Sequence, residues 1–578
     1  MYRLIGQCKT TLRRLYLDST KRIGNSDHLL PSNNKIIAYI LNECTKLSTL
    51  HFQEAFPYND DIRRTTSSTA TLLDHDNNNN DGGEKPLHLL LKKNSSYPLL
   101  EQLHIVSYSI QTQDLIVLLD HCYSKNLKSL SLDLRHTTYK DPKNRTDLLD
   151  RLFWIINGDS KNNTSQLNVI DIAFMNPINK RLPSSSSFNE IRERGKRYSA
   201  TKSYSMASIS LQHLRYSIPA ALCFNDPKIC CDEIDKIRRI LLTYHKALLS
   251  IDLPLETIFS MTTSPPYSGL LQPFAFTSCY FPCLKDINLT TTITNQQHKS
   301  IEAGFITGLS ESSPQPLVNR FCDFIRTCPL LESIKIIVTP HTINDNIFTT
   351  LGHCRYLQSL SIMLDNNNNN GCYDFITPQG FLNLFTKTRS LEELNITMNS
   401  NNCAGSNEKE SNNYTLGTSS STTNRMLDII TDDHLLAISS SGYRKLKRLF
   451  ISDANRLTNH GLNKFINDMH HSELEYLQLY NIRCVTKELV ENMVCFSKLA
   501  YLDLNISPRS PHIDRTMAVH SLFDKRTKEG IAHITLYVKI TTARGGIWPG
   551  TFDALTFVSD KYRSTMAVSF SFYCYFYL

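Results

Sequence analysis

One spacing returns along this chain: leucine, two mostly polar residues, leucine or isoleucine, one residue, then another apolar or aromatic one. It reads LRRLYL from Leu12, LSTLHF from Leu47, LEQLHI from Leu100, LKSLSL from Leu127, LNVIDI from Leu167, LQHLRY from Leu211 and LLSIDL from Leu248. It continues as LKDINL from Leu284, LESIKI from Leu331, LQSLSI from Leu357, LEELNI from Leu391, LKRLFI from Leu446, LEYLQL from Leu474 and LAYLDL from Leu499, with IAHITL from Ile531 as a last member. The period of two inside each match predicts a short strand, its leucines turned inward and the residues between them outward. A single match means little, because leucine is common. About fourteen in order are repetition.

Between the predicted strands the apolar period lengthens to a helical one. LVNRFCDFIRTC runs into the strand at Leu331, and TKELVENMVCFSKL runs into the one at Leu499. The clean intervals are 27 residues (Leu100 to Leu127), 26 (Leu331 to Leu357), 28 (Leu446 to Leu474) and 25 (Leu474 to Leu499). Spacings of about 20–29 residues mark leucine-rich repeats. One strand–turn–helix unit cannot bury its own apolar face, so neighbours stack and share a core. The expected fold is therefore α/β: a leucine-rich-repeat solenoid, a curved horseshoe with parallel strands on its concave face and helices outside. It covers residues 1–540 in about thirteen to fourteen irregular repeats, with a C-terminal cap or tail over 541–578. Polar tracts near 74–86, 181–208 and 399–425 interrupt it. They are too poor in apolar residues to offset their ordering entropy and are expected to be disordered insertions.

Composition narrows the partners. The 62 basic and 54 acidic residues leave a net charge of +8, mild for 578 residues, and no long basic run stands out. Nucleic-acid binding, which concentrates such charge on one face, is not expected. No apolar run reaches the roughly 18 residues that span a bilayer. The tail MAVSFSFYCYFYL from Met566 is read as a final strand or a loosely attached end, a membrane-touching tail being the other reading. The start of the chain has no apolar signal core, and the 16 cysteines are scattered, many of them in apolar segments. They are expected to be reduced, in the cytoplasm or the nucleus.

No catalytic constellation is present. CYFPC offers Cys279 and Cys283 as a lone pair, and MHHSE offers His470, His471 and Glu473 at a helix end. Neither has the companions a metal site needs. Phosphate-loop, nucleophile-elbow and zinc-protease motifs are missing. The expectation is a non-enzyme without cofactor or metal.

After the strand at Leu446 the order ISDANRLTNHGL becomes specific, and LQLYNIRCVTKELV repeats it with Cys484 ahead of Val485 and Thr486. Thr458 and Thr486 stand where helix caps belong. A cysteine precedes the strand leucines in CTKL (Cys44), CPLL (Cys328) and CRYL (Cys354). In these features the chain resembles the F-box leucine-rich-repeat proteins, with their cysteine-containing repeats. The resemblance spans about residues 1–540 and is plainest from about 317 to 505. It implies a substrate-receptor-like subunit of a Skp–cullin–F-box ubiquitin ligase. An F-box itself is not visible, since TLRRLYL already reads as a repeat strand. A Skp adaptor and a cullin are then partners only if an F-box lies upstream. The alternative is an F-box-less relative that binds or sequesters a partner with no ligase link. Leucine-rich-repeat GTPase activators have longer, more uniform units, so the 25–28 spacing argues against that class.

In either case a protein target is expected on the concave face. There the residues between the leucines form a ladder: Glu393, Asn395 and Thr397; Arg448, Phe450 and Ser452; Tyr476, Gln478 and Tyr480; Tyr501, Asp503 and Asn505. Phe450, Tyr476, Gln478, Tyr480, Tyr501 and Asp503 are the candidate contacts, with the four aromatic side chains as one cluster on adjacent strands about 4.8 Å apart. The basic, Ser-rich segment from Arg181 carries KRYS, which makes Ser199 a possible phosphosite or an unmodified residue of a solvated loop.

Overall fold

The computed structural model describes residues 2–18, 33–53, 87–90, 100–107, 115–116, 118–119, 127–134, 169–174, 211–216, 227–258, 279–290, 315–338, 344–365, 376–399, 430–452, 456–482, 485–506, 514–531, 534–543, 552–560 and 563–565. The insertions expected near 74–86 and 181–208, Ser199, Cys484 and the tail from Met566 lie outside these residues, as does the third insertion except for Asn399.

The chain divides into two compact units, Met1–Leu248 and Leu249–Leu578. In the first, β1 (Arg14–Asp18), β2 (Thr49–Gln53), β3 (Gln102–Ser107), β4 (Ser129–Leu134), β5 (Val169–Phe174) and β6 (His213–Tyr216) pair in parallel, each with the next. The register stacks Leu50, Leu103, Leu130, Ile170 and Leu214 into one buried row. Helices α1 (Tyr2–Cys8), α2 (Asn33–Glu43), α3 (Leu87–Leu90) and α4 (Pro227–Tyr244) belong to this unit.

Among its described residues the second unit holds nine parallel strands: β7 (Ser250–Pro254), β8 (Asp286–Thr290), β9 (Ser333–Val338), β10 (Ser359–Asp365), β11 (Glu393–Asn399), β12 (Arg448–Ile451), β13 (Tyr476–Ile482), β14 (Tyr501–Ile506) and β15 (Tyr537–Ala543). Ile251, Ile287, Ile334, Leu360, Leu394, Leu449, Leu477, Leu502 and Val538 form the corresponding buried row. Burying such a side chain contributes about 1.5–3 kcal/mol, so a row shared by neighbours holds units that none could hold alone. Two further strands, β16 (Phe552–Asp560) and β17 (Arg563–Thr565), run antiparallel, β16 along β15. A parallel edge strand that acquires antiparallel cover no longer offers free backbone groups.

The described α-helices of this unit are α5 (Leu255–Ile258), α6 (Gln315–Arg326), α7 (Asp345–Gly352), α8 (Pro378–Lys387), α9 (Asp432–Ser440), α10 (Asn459–Asp468), α11 (Lys487–Asn492) and α12 (Arg515–Lys528). Their starts follow capping chemistry: Thr377, Thr458 and Thr486 accept from the backbone N–H groups of Gly380, Gly461 and Leu489. Two junctions add a lock that crosses repeats. Asp345, first in α7, accepts from the Thr377 N–H (2.9 Å) and hydroxyl (2.5 Å) at the head of α8. Asp432, first in α9, accepts from the N–H (2.8 Å) and hydroxyl (2.6 Å) of Thr458 at the head of α10. Each carboxylate fits only because glycine follows three residues after the threonine. A Cβ on Gly380 would lie 2.2 Å from Asp345 Oδ1, and one on Gly461 2.0 Å from Asp432 Cγ. The glycine of LTNHGL is thus the seat of a neighbour's side chain.

Between these locks, α8 meets α9 through buried His434. Its Nδ1 accepts from the Thr431 N–H, Nε2 donates to the Ile376 carbonyl at 3.0 Å, and the ring stands edge-on to Phe381. Acceptance at Nδ1 requires the neutral ring, and burial lowers the pKa of His434. The cysteines before the strands are buried thiols: Cys328 donates to the Phe324 carbonyl (3.4 Å), and burial pushes it and Cys354 up to about 12. In two later repeats Thr388 and Tyr443 take the same place, donating to the carbonyls of Leu384 (2.7 Å) and Leu391 (2.6 Å).

The last repeat departs from the sequence expectation. IAHITL does not supply the strand, which begins six residues after Ile531, at Tyr537, with Val538 and Ile540 facing inward. The cause is the end of α12. Gly530 adopts φ +72°, and the Ile531 N–H bonds back to the Arg526 carbonyl at 2.9 Å, so Ile531 is consumed in closing the helix.

Candidate functional site

The outward residues of β11 to β15 lie in two rows fixed by register. Glu393, Arg448, Tyr476, Tyr501 and Tyr537 form the first, and Asn395, Phe450, Gln478, Asp503 and Lys539 the second. Parallel pairing sets equivalent side chains side by side, within reach of stacking. Tyr476 and Tyr501 stack with centroids 4.4 Å apart and planes 2° apart; Tyr501 and Tyr537 follow at 5.2 Å and 8°. Phe450 and Tyr480 make a separate tilted pair at 5.4 Å. The single cluster expected from sequence is therefore two groups, and Gln478 joins them: its amide oxygen accepts from Tyr476 Oη at 2.9 Å and its amide nitrogen donates to Tyr480 Oη.

Asp503 is the hub and also the main correction. An acidic residue between two leucines of a strand reads as exposed, yet only 1% of its surface meets solvent. Four donors converge on its Oδ2: Gln478 Nε2 and Tyr480 Oη at 3.2 Å, Tyr501 Oη at 3.3 Å and Lys539 Nζ at 3.5 Å. Oδ1 is buried and accepts from none. Burial raises the Asp503 pKa, opposed first by the charge of Lys539 and then by the hydrogen bonds from Tyr480, Lys539 and Tyr501. Burial, then the Asp503 charge, holds the Tyr501 phenol far above its ordinary range, so it stays a donor. One partly satisfied carboxylate thus pins Tyr480 and Tyr501, while Tyr476 is held through Gln478 and Tyr537 by stacking.

Along the wall from β11 to β14 lies a groove of about 580 Å³ whose lining includes Glu393, Arg448, Phe450, Glu475, Tyr476 and Tyr501. Arg448 Nη1 stands 4.0 Å from Glu393 Oε2, and its side chain is 63% exposed. The Asn395 amide oxygen and the Thr397 hydroxyl are shut off from solvent and have no hydrogen-bond partner.

Every candidate contact thus lies on this wall: Tyr476, Gln478, Tyr480, Tyr501 and Phe450 half-buried, Asp503 beneath them. Tyr537 and Lys539 belong to the same rows and were missed, because IAHITL places the last strand too early; the alternation in LYVKI carries the signal. Among the described residues no group of histidine, cysteine and acidic side chains is arranged to hold a metal. His470 and His471 are exposed, with rings 3.7 Å apart. Cys279 is buried and Cys283 half-buried. No described helix is long and apolar enough to cross a membrane.

No family model matches the sequence, and no curated protein matches it. Among solved structures the chain is similar to one described as the crystal structure of the Rad7 and Elc1 complex in yeast. Identity is 12% and the TM-score 0.36, with 73% of each chain covered.

Proposed function

We propose that this protein is a non-catalytic recognition scaffold, with the β11–β15 wall as the concave surface that holds a protein partner. The observation that carries the reading is the pinned aromatic wall: three stacked tyrosines and a Phe–Tyr pair tied to Asp503, beside an open groove. Side chains ordered before binding lose little entropy on contact, and tyrosines bury large area at that low cost. On the sequence resemblance, the scaffold is a substrate-receptor-like subunit of a Skp–cullin–F-box ubiquitin ligase working in the cytoplasm or nucleus.

Affinity capture compared between the wild type and Tyr476→Ala/Tyr480→Ala tests the first statement. The double variant is expected to lose a captured protein while still folding and unfolding cooperatively, at a temperature lowered by the loss of the bonds to Asp503 and Gln478. Undiminished capture by a folded variant overturns it. Co-purification of a Skp adaptor and a cullin tests the second; their absence leaves a scaffold without a ligase link.

A further inference from the structure

The recognition reading says where a partner sits, and the groove wall says what chemistry it must bring. The lining carries two carboxylates, Glu393 and Glu475, against one guanidinium, Arg448. Tyr476 adds an aromatic ring to that wall. A planar cation with several donors can stack on such a ring and reach acceptors at its side.

We infer that the groove receives an arginine side chain from an extended segment of the protein partner. The inference rests on the recognition reading and specifies it: Glu393 and Glu475 supply the charge and Tyr476 the stacking surface. Arg448 then works against the occupant, since a second cation beside it is repelled.

The test uses the full chain and short Gly-Ser peptides carrying one arginine, or at the same place its neutral isostere citrulline, with binding followed by calorimetry. The arginine peptide is expected to bind at least about tenfold more tightly, and Glu393→Gln/Glu475→Gln to remove most of that preference. Arg448→Ala is expected to tighten arginine binding about two- to fivefold, by removing a like charge. Equal binding of the two peptides, no binding of either at millimolar concentration, or weakened arginine binding by folded Arg448→Ala overturns the inference. The two readings fail separately. Partner capture that depends on Tyr476 and Tyr480, with peptides that show no arginine preference, sinks the arginine site and leaves the scaffold standing.

Discussion

On the helix side of the second unit Asp345 and Asp432 each give both carboxylate oxygens to a threonine of the next repeat. On the strand side Asp503 gathers four donors on one oxygen and leaves the other with none. The first two carboxylates close a joint between helices, and nothing remains for them to bind. The third orders the side chains of the outward wall and keeps one oxygen unmatched. The same group thus locks helices together on one side of the repeats and orders surface side chains on the other.

Attacking the joint should have the largest effect. Gly380→Ala drives a methyl group into Asp345 and is expected to cost about 2–4 kcal/mol in denaturant unfolding. Asp345→Ala alone should cost about 1–2 kcal/mol through its two lost hydrogen bonds. Together they should cost clearly less than their sum, because removing the carboxylate frees the space the methyl group needs. An additive pair would mean that Gly380 is not the seat of Asp345.

Asp503→Ala is expected to cost about 1–3 kcal/mol, since four donors lose their common acceptor. Its signature is a weakened near-ultraviolet tyrosine signal, which joint variants of equal cost should leave intact. If both kinds of variant change that signal alike, the division between joint and wall fails.

His434 makes the helix joint sensitive to pH. Its folded pKa is lowered, so the unfolded chain takes up the proton first. Stability is fully present above the unfolded value of about 6.5 and is lost as pH falls from there toward the folded pKa. His434→Gln should flatten that part of the stability-against-pH profile, and an unchanged slope would remove His434 from the account. The smallest effect is expected for Lys447→Ala. It breaks an exposed pair with Glu392 at 2.9 Å and should leave the melting temperature within measurement error.

Strand placement was largely legible from sequence. β1 to β14 each begin two residues after the leading leucine of a match, because an inward row of leucines is a local pattern that burial rewards directly. What escaped depends on contacts between distant residues. Only Tyr501 among the donors to Asp503 stands near it in sequence; Gln478, Tyr480 and Lys539 arrive from neighbouring strands, and no local pattern announces them. The strand at Tyr537 escaped because Gly530 ends α12 in a left-handed turn that uses up Ile531. Thr458 was readable as a cap, whereas the reason for Gly461 lay in Asp432, a residue of the previous repeat.

The backbone ladder at the strand starts carries a last consequence. Glu475 N–H bonds to the Lys447 carbonyl, and Lys447 N–H to the Glu392 carbonyl, at 2.8 Å in both cases, although the second step crosses 55 residues of chain and the first about half as many. Spatial period and sequence period are therefore uncoupled here. Segments between rungs can lengthen or shrink over evolution without shifting a single rung, which leaves room for new loops beside an unchanged platform.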